Sequence, residues 1–156
     1  MLEWNILLAG APEAGKSTLC RALLGGPEAV IKTQALEYHG NMLVDLPGEY
    51  LTHPHLRRLF LSSAQNVRAI LYLQAANSVP LGIPPGLLHT LPGQLVIGVI
   101  TKMDLPDADS ARSREFLRQQ GIEEPFFELS VHHPATIATL RAWLCGKGLL
   151  PECAAA

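Results

Sequence analysis

Eight residues, Gly10 to Ser17 (GAPEAGKS), follow the apolar run Ile6-Leu7-Leu8-Ala9 and constrain the fold more than any other stretch of the chain. Gly-x-x-x-x-Gly-Lys-Ser between a strand and a helix is a phosphate-binding loop. Its glycines let backbone N–H groups converge on an anion at a helix N-terminus. Lys16 is placed to reach the outer phosphates. Ser17 is placed to ligate Mg2+, which wants hard oxygen ligands while keeping several waters. Gly10, Ala11, Pro12, Glu13, Ala14, Gly15, Lys16, Ser17 and Thr18 therefore form the first part of a candidate nucleotide site. A carboxylate inside that cradle, Glu13, needs its own explanation.

Around the loop, strands and helices alternate. Apolar runs at Ile6-Ala9, Met42-Val44, Ala69-Leu73 and Leu95-Ile100 read as buried strands, with Phe126-Leu129 a shorter one. Helical patterns fall between them at Ser17 to Leu24, Pro54 to Ala64, Ser110 to Gln119 and Thr136 to Leu144. That order predicts an α/β domain with a mostly parallel central sheet and helices on both faces, binding its ligand beyond the carboxyl ends of the strands. The segment Asn77 to Gly93 interrupts the rhythm with Val79-Pro80, Pro84-Pro85-Gly86 and Pro92-Gly93, leaving room for one short helix around Leu87 to Thr90.

Composition sets the outer limits. A chain of 156 residues, 48% hydrophobic and 17% charged, fits one nucleotide-binding domain over residues 1–148, with a small tail, 149–156, expected to fray. A formal net charge of -2 offers no electrostatic basis for nucleic acid or an anionic membrane as a partner. No apolar stretch approaches the roughly 18 residues of a membrane span, and MLEWNILLAG lacks the basic head of a signal peptide. Cys20, Cys145 and Cys153 are widely spaced and form no Cys-x-x-Cys pair, which suits a reducing cytoplasm.

Three further loops bear on the nucleotide. In LVDLPGEY, Asp45 ends a predicted strand and Gly48 follows three residues later, so a carboxylate stands near Mg2+ through water and a backbone N–H near the terminal phosphate. In VITKMD, after the next long strand, the Asp104 carboxylate can accept from two donors on the guanine edge at once. Adenine offers no such pair, and an unmade charged hydrogen bond costs roughly 1.5–3 kcal/mol. Thr101 opens this loop, and Lys102 is expected to lay its stem along the base and brace the phosphate loop. Ser130 follows the last short strand, where its backbone N–H is expected to meet the guanine carbonyl oxygen. Thr33, in KTQALEY, is the natural hydroxyl to close over Mg2+ when a γ-phosphate is present; Gln34 or a plain strand start are the alternatives.

These four loops, in this order and spacing, resemble the small Ras-like and Era-like GTPases over nearly the whole chain. KTQALEY, DLPGEYLTHP, the Pro-Pro-Gly-Leu-Leu stretch, TKMDLPDAD and GIEEPFFELS look more closely like the EutP/PduV family of ethanolamine- and propanediol-utilisation operons. The resemblance implies a bacterial cytoplasmic protein near a microcompartment, with a shell or enzyme partner. It also implies acetate kinase activity, since members of the ethanolamine branch are described as acetate kinases. Two departures stand out: Pro12-Glu13 where many Era-like loops carry Pro-Asn, and Glu49 where Ras-like proteins place a water-positioning Gln. Two carboxylates about 4 Å apart would repel by on the order of 4 kcal/mol at an effective dielectric near 20. Either Glu13 points outward or a cation sits beside it.

Two functions follow as expectations. One is a GTPase switch, using GTP and Mg2+, with Lys16, Gly48 and Glu49 as its catalytic set and Ser17, Thr33 and Asp45 around the metal; the acceptor-only Glu49 makes it slow. The other is phosphoryl transfer, from ATP in that case, to acetate, an ionised nucleophile that needs no general base. Arg57 and Arg58, with His53 and His55, follow DLPGEY closely enough to supply the positive charge acetate needs, although a solvated helix face explains them equally well. His132 and His133 read as surface residues. A non-catalytic nucleotide-binding module that targets the shell is a third expectation.

Overall fold

The computed structural model describes residues 4–11, 14–24, 37–39, 43–45, 53–78 and 94–150. A six-stranded sheet runs through them in the order β2-β3-β1-β4-β5-β6, with β1 Trp4–Gly10, β2 Glu37–His39, β3 Leu43–Asp45, β4 Val67–Ala75, β5 Leu95–Thr101 and β6 Phe126–Glu128. Five strands are parallel and β2 joins antiparallel to β3. The flanking helices are α1 Lys16–Leu24, α2 Arg57–Ala64, α3 Ser110–Gln119 and α4 Pro134–Gly146.

Alternation along β1 explains why both faces are covered. Leu7 and Ala9 join a core with Phe60 and Ala64 of α2 and Phe116 and Leu117 of α3. Ile6 and Leu8 join the other core, with Leu19, Cys20 and Leu23 of α1 and Ile137, Leu140 and Leu144 of α4. Successive side chains of a strand point to opposite faces, so a continuous apolar run belongs to a sheet buried on both sides. The expected α/β architecture with helices on both faces is what the chain adopts.

Boundaries differ in instructive ways. The helix expected over Pro54 to Ala64 is a 3-10 turn, Pro54–Leu56, followed by α2; Pro54 opens the turn where its missing N–H is harmless. α4 begins two residues earlier than expected because Pro134 starts it in the same way. The edge strand β2 carries no apolar run and was not expected; it is defined by pairing with β3. The short helix expected around Leu87 to Thr90 lies outside the described residues, as does the 151–156 part of the tail. At Gly98, an added Cβ would stand 2.8 Å from Phe126 Cδ1 and 2.9 Å from Leu117 Cδ1, so a side chain at this strand position requires those two to move. None of the described helices is long and apolar enough to cross a membrane.

Candidate nucleotide site

β1 delivers the chain to the phosphate loop at the carboxyl edge of the sheet. Gly10 pairs with Leu73 of β4 and has φ 154°. A Cβ there would lie 2.5 Å from the Leu73 carbonyl oxygen, so the first glycine of the motif is required by close backbone approach. Gly15 has φ 93°, a left-handed conformation that turns the chain into α1. Lys16 is 7% exposed, and its Nζ donates to the Gly10 and Ala11 carbonyls at 3.2 and 2.8 Å. Its ammonium is thus held across the loop by backbone oxygens. Ser17 is half-buried and Thr18 exposed on the first turn of α1. Pro12 and Glu13 lie outside the described residues, so the position of the Glu13 carboxylate does too.

A cleft of about 280 Å³ opens beside this loop. Gly15, Thr18 and Leu19 form one wall; Thr101, Lys102, Asp104 and Leu105 form another; Leu129, Val131, His132 and Ile137 close it. Three separated stretches of sequence meet here because β1, β5 and β6 all end at this edge. The Thr101 hydroxyl donates to the Ala14 carbonyl at 2.6 Å, tying the loop that carries Asp104 to the glycine-rich loop. Bracing between these loops was expected of Lys102, and Thr101 beside it supplies one such tie. Lys102 itself has φ 61°, an uncommon backbone for a residue with a side chain, and lines the cleft.

Asp104 is exposed and oriented from behind. The Ser130 hydroxyl donates to Asp104 Oδ1 at 2.7 Å, and His132 Nε2 lies 3.9 Å from Oδ2. That hydroxyl holds the Asp104 carboxyl below its ordinary value, with burial opposing and a backbone hydrogen bond, His132 and His133 adding smaller contributions. The role expected of Ser130 is corrected. Its backbone N–H donates to Thr136 Oγ1 at 3.1 Å and is not turned to the cleft; its side chain does the work, as a clamp on Asp104. Sequence could not separate these roles, since a serine carries both donors.

Asp45 ends β3 in register with Leu8, two residues before Gly10, so the backbone brings it alongside the phosphate loop. Thr33, Gly48 and Glu49 lie outside the described residues. His53 and His55 are exposed, with ring centroids 5.7 Å apart, and Arg58 is exposed at the start of α2. Neither these three nor Arg57 line the cleft. His132 is exposed as expected, yet it is a wall of the cleft. Thr136 and Val131 were missed: a threonine in a helix and an exposed valine carry no local signal of the loop they complete.

A strand, a glycine-rich loop and a helix at the carboxyl edge of a parallel sheet, with a second loop facing them across a cleft, are consistent with a P-loop NTPase-like fold. Residues 3–145 match the PduV-EutP family, described as ethanolamine utilisation - propanediol utilisation. The chain belongs to that family. It is 40% identical over 140 residues to a Salmonella typhimurium protein named "Probable acetate kinase EutP", covering 90% of this chain and 88% of the relative. An Escherichia coli protein of the same name is 39% identical over the same span.

Proposed function

We propose that this protein binds GTP with Mg2+ between the phosphate loop and Asp104 and hydrolyses it slowly, in an ethanolamine or propanediol utilisation system. The observation that carries the reading is Asp104, clamped at one oxygen by Ser130 and facing a cleft that Gly15 and Thr18 share. A fixed carboxylate accepts the two parallel donors of the guanine edge and meets a lone pair on adenine, which is penalised. Lys16 would exchange the Gly10 and Ala11 carbonyls for phosphate oxygens. Ser17 and Asp45 offer the hydroxyl and carboxylate oxygens that suit Mg2+. The bound metal would neutralise charge on the outer phosphates. Thr33 and Gly48 would close on the triphosphate. Glu49, unable to donate, would orient water poorly, which makes turnover slow without a partner at the microcompartment shell or among its enzymes.

A second reading is favoured by the relatives' printed name. With acetate as acceptor, one carboxylate oxygen bonds to the γ-phosphorus as the bond to the β-phosphate oxygen breaks, giving acetyl phosphate and nucleoside diphosphate. Acetate is already ionised, so no base is needed. The two readings separate when the protein is incubated with Mg2+ and GTP or ATP, with and without acetate. Free phosphate from GTP in the absence of acetate supports the hydrolytic reading; acetyl phosphate as main product replaces it with the kinase. Asp104→Asn should shift preference from GTP toward XTP, because an amide donates to the oxygen that replaces guanine's amino group. A wild type that prefers ATP would overturn guanine recognition.

A further inference from the structure

Asp104 is aimed by Ser130, and Ser130 is in turn held by a residue outside the loop motifs. We infer that Thr136, on the first turn of α4, is a positioning residue for base selection. The inference rests on the guanine reading of Asp104 and concerns what fixes that carboxylate.

Ser130 is 2% exposed, so its backbone N–H has no recourse to water. Its partner is Thr136 Oγ1 at 3.1 Å. The same hydroxyl has the Ser130 carbonyl at 3.1 Å and the His133 carbonyl at 2.7 Å as acceptors for its one proton. The turn is closed further by His133 N–H donating to the Ser130 carbonyl at 3.0 Å, and by Thr136 N–H donating to the His133 carbonyl at 3.0 Å. Thr136 thus holds Ser130 at its N–H, while its own proton is shared between the Ser130 and His133 carbonyls. From that fixed backbone the Ser130 hydroxyl is held by a bond on each side. It accepts from His132 N–H at 3.1 Å and donates to Asp104 Oδ1 at 2.7 Å. The remaining oxygen, Oδ2, is 3.9 Å from His132 Nε2.

Selection between guanine and adenine requires both oxygens in the plane of the base, because two parallel hydrogen bonds tolerate little rotation. A carboxylate free to turn would still attract donors but would discriminate less. The anchor lies on α4, which packs through Ile137, Leu140 and Leu144 into the core under α1. The orientation of Asp104 is therefore referenced to the rigid body of the domain rather than to its own loop.

The test compares wild type, Thr136→Val and Thr136→Ser by calorimetric titration with GTP, ATP and inorganic tripolyphosphate, all with Mg2+. Tripolyphosphate engages the phosphate loop and no base. Thr136→Val should lower the GTP-over-ATP preference about tenfold, the scale of one buried hydrogen bond lost. Tripolyphosphate affinity should be unchanged, and Thr136→Ser should restore the preference. A valine variant that keeps the wild-type preference overturns the inference. So does one that loses GTP and tripolyphosphate in equal proportion, which marks a general structural role. Should the valine variant not fold, Thr136→Ala is read in the same way. Absence of GTP preference in the wild type would overturn the underlying guanine reading and this inference with it; preference in the wild type, unmoved by the variants, overturns the inference alone.

Discussion

Thr101→Val removes one hydroxyl while keeping the shape of the side chain. That hydroxyl donates at 2.6 Å to the carbonyl of Ala14, a residue 87 positions away in sequence. Both ends are sequestered, with Thr101 7% and Ala14 3% exposed. The net loss of a neutral hydrogen bond is about 0.5–1.5 kcal/mol, and a buried carbonyl left without a partner costs about 1–3 kcal/mol. The contributions overlap, so a destabilisation of about 2 kcal/mol is expected. In a domain of this size each kcal/mol lowers Tm by about 2–4 °C, which gives a fall of about 4–8 °C. On the proposed guanine reading nucleotide affinity should fall as well, because the bond joins the glycine-rich loop to the loop that carries Asp104. Thermal unfolding followed by circular dichroism measures the first effect, and calorimetry with a non-hydrolysable GTP analogue the second. Thr101→Ser should recover both. An unchanged Tm and affinity in the valine variant would refute the idea that this hydroxyl couples the two loops.

Two other outcomes test the scaffold. Gly98→Ala places a methyl 2.8 Å from Phe126 and 2.9 Å from Leu117, and should lower stability by about 1–3 kcal/mol in urea unfolding while leaving nucleotide affinity intact; wild-type stability would mean the Phe126 ring and the Leu117 side chain shift freely. Glu128 accepts from the Ser110 hydroxyl and pairs with Arg114 at 2.9 Å, and these partners, Ser110 first, hold its carboxyl below 4.5. A carboxyl depressed in the folded state stabilises above its unfolded pKa and loses that contribution as pH falls through the folded value. Ser110→Ala should therefore be less stable than wild type at neutral pH, with the difference shrinking below about pH 4.5; a constant difference from neutral to acid pH would assign the loss to packing.

Much of the proposed site was legible because a glycine-rich phosphate-binding loop is a local arrangement of backbone. Gly10 and Gly15 are needed for conformation and close approach, Lys16 for charge, and all of it lies within one strand–loop–helix unit. Asp104 was legible for a related reason: it follows a long apolar strand, and the carboxyl ends of parallel strands converge on one edge. The helical pattern at Ser110 to Gln119 matches the observed helix at both ends, and the structure adds its cap, the Asp109 side chain accepting from Arg112 N–H at 2.9 Å.

What the sequence by itself determined, then, is the alternating α/β order, the glycine-rich loop between β1 and α1, and Asp104 as the carboxylate after β5. Each is written in periodicities and motifs shorter than one supersecondary unit. The tertiary structure decided which donor of Ser130 faces which partner, that Thr101 ties the two loops, that Thr136 reaches back to Ser130, and that His132 is a wall of the cleft. It also decided the antiparallel edge at Glu37–His39 and the need for Gly98. These features depend on distances between residues far apart in the chain, and a hydroxyl or a missing Cβ looks the same in sequence whatever lies opposite it. Hydrogen-bond direction and steric room are set only when strands from different parts of the chain end side by side.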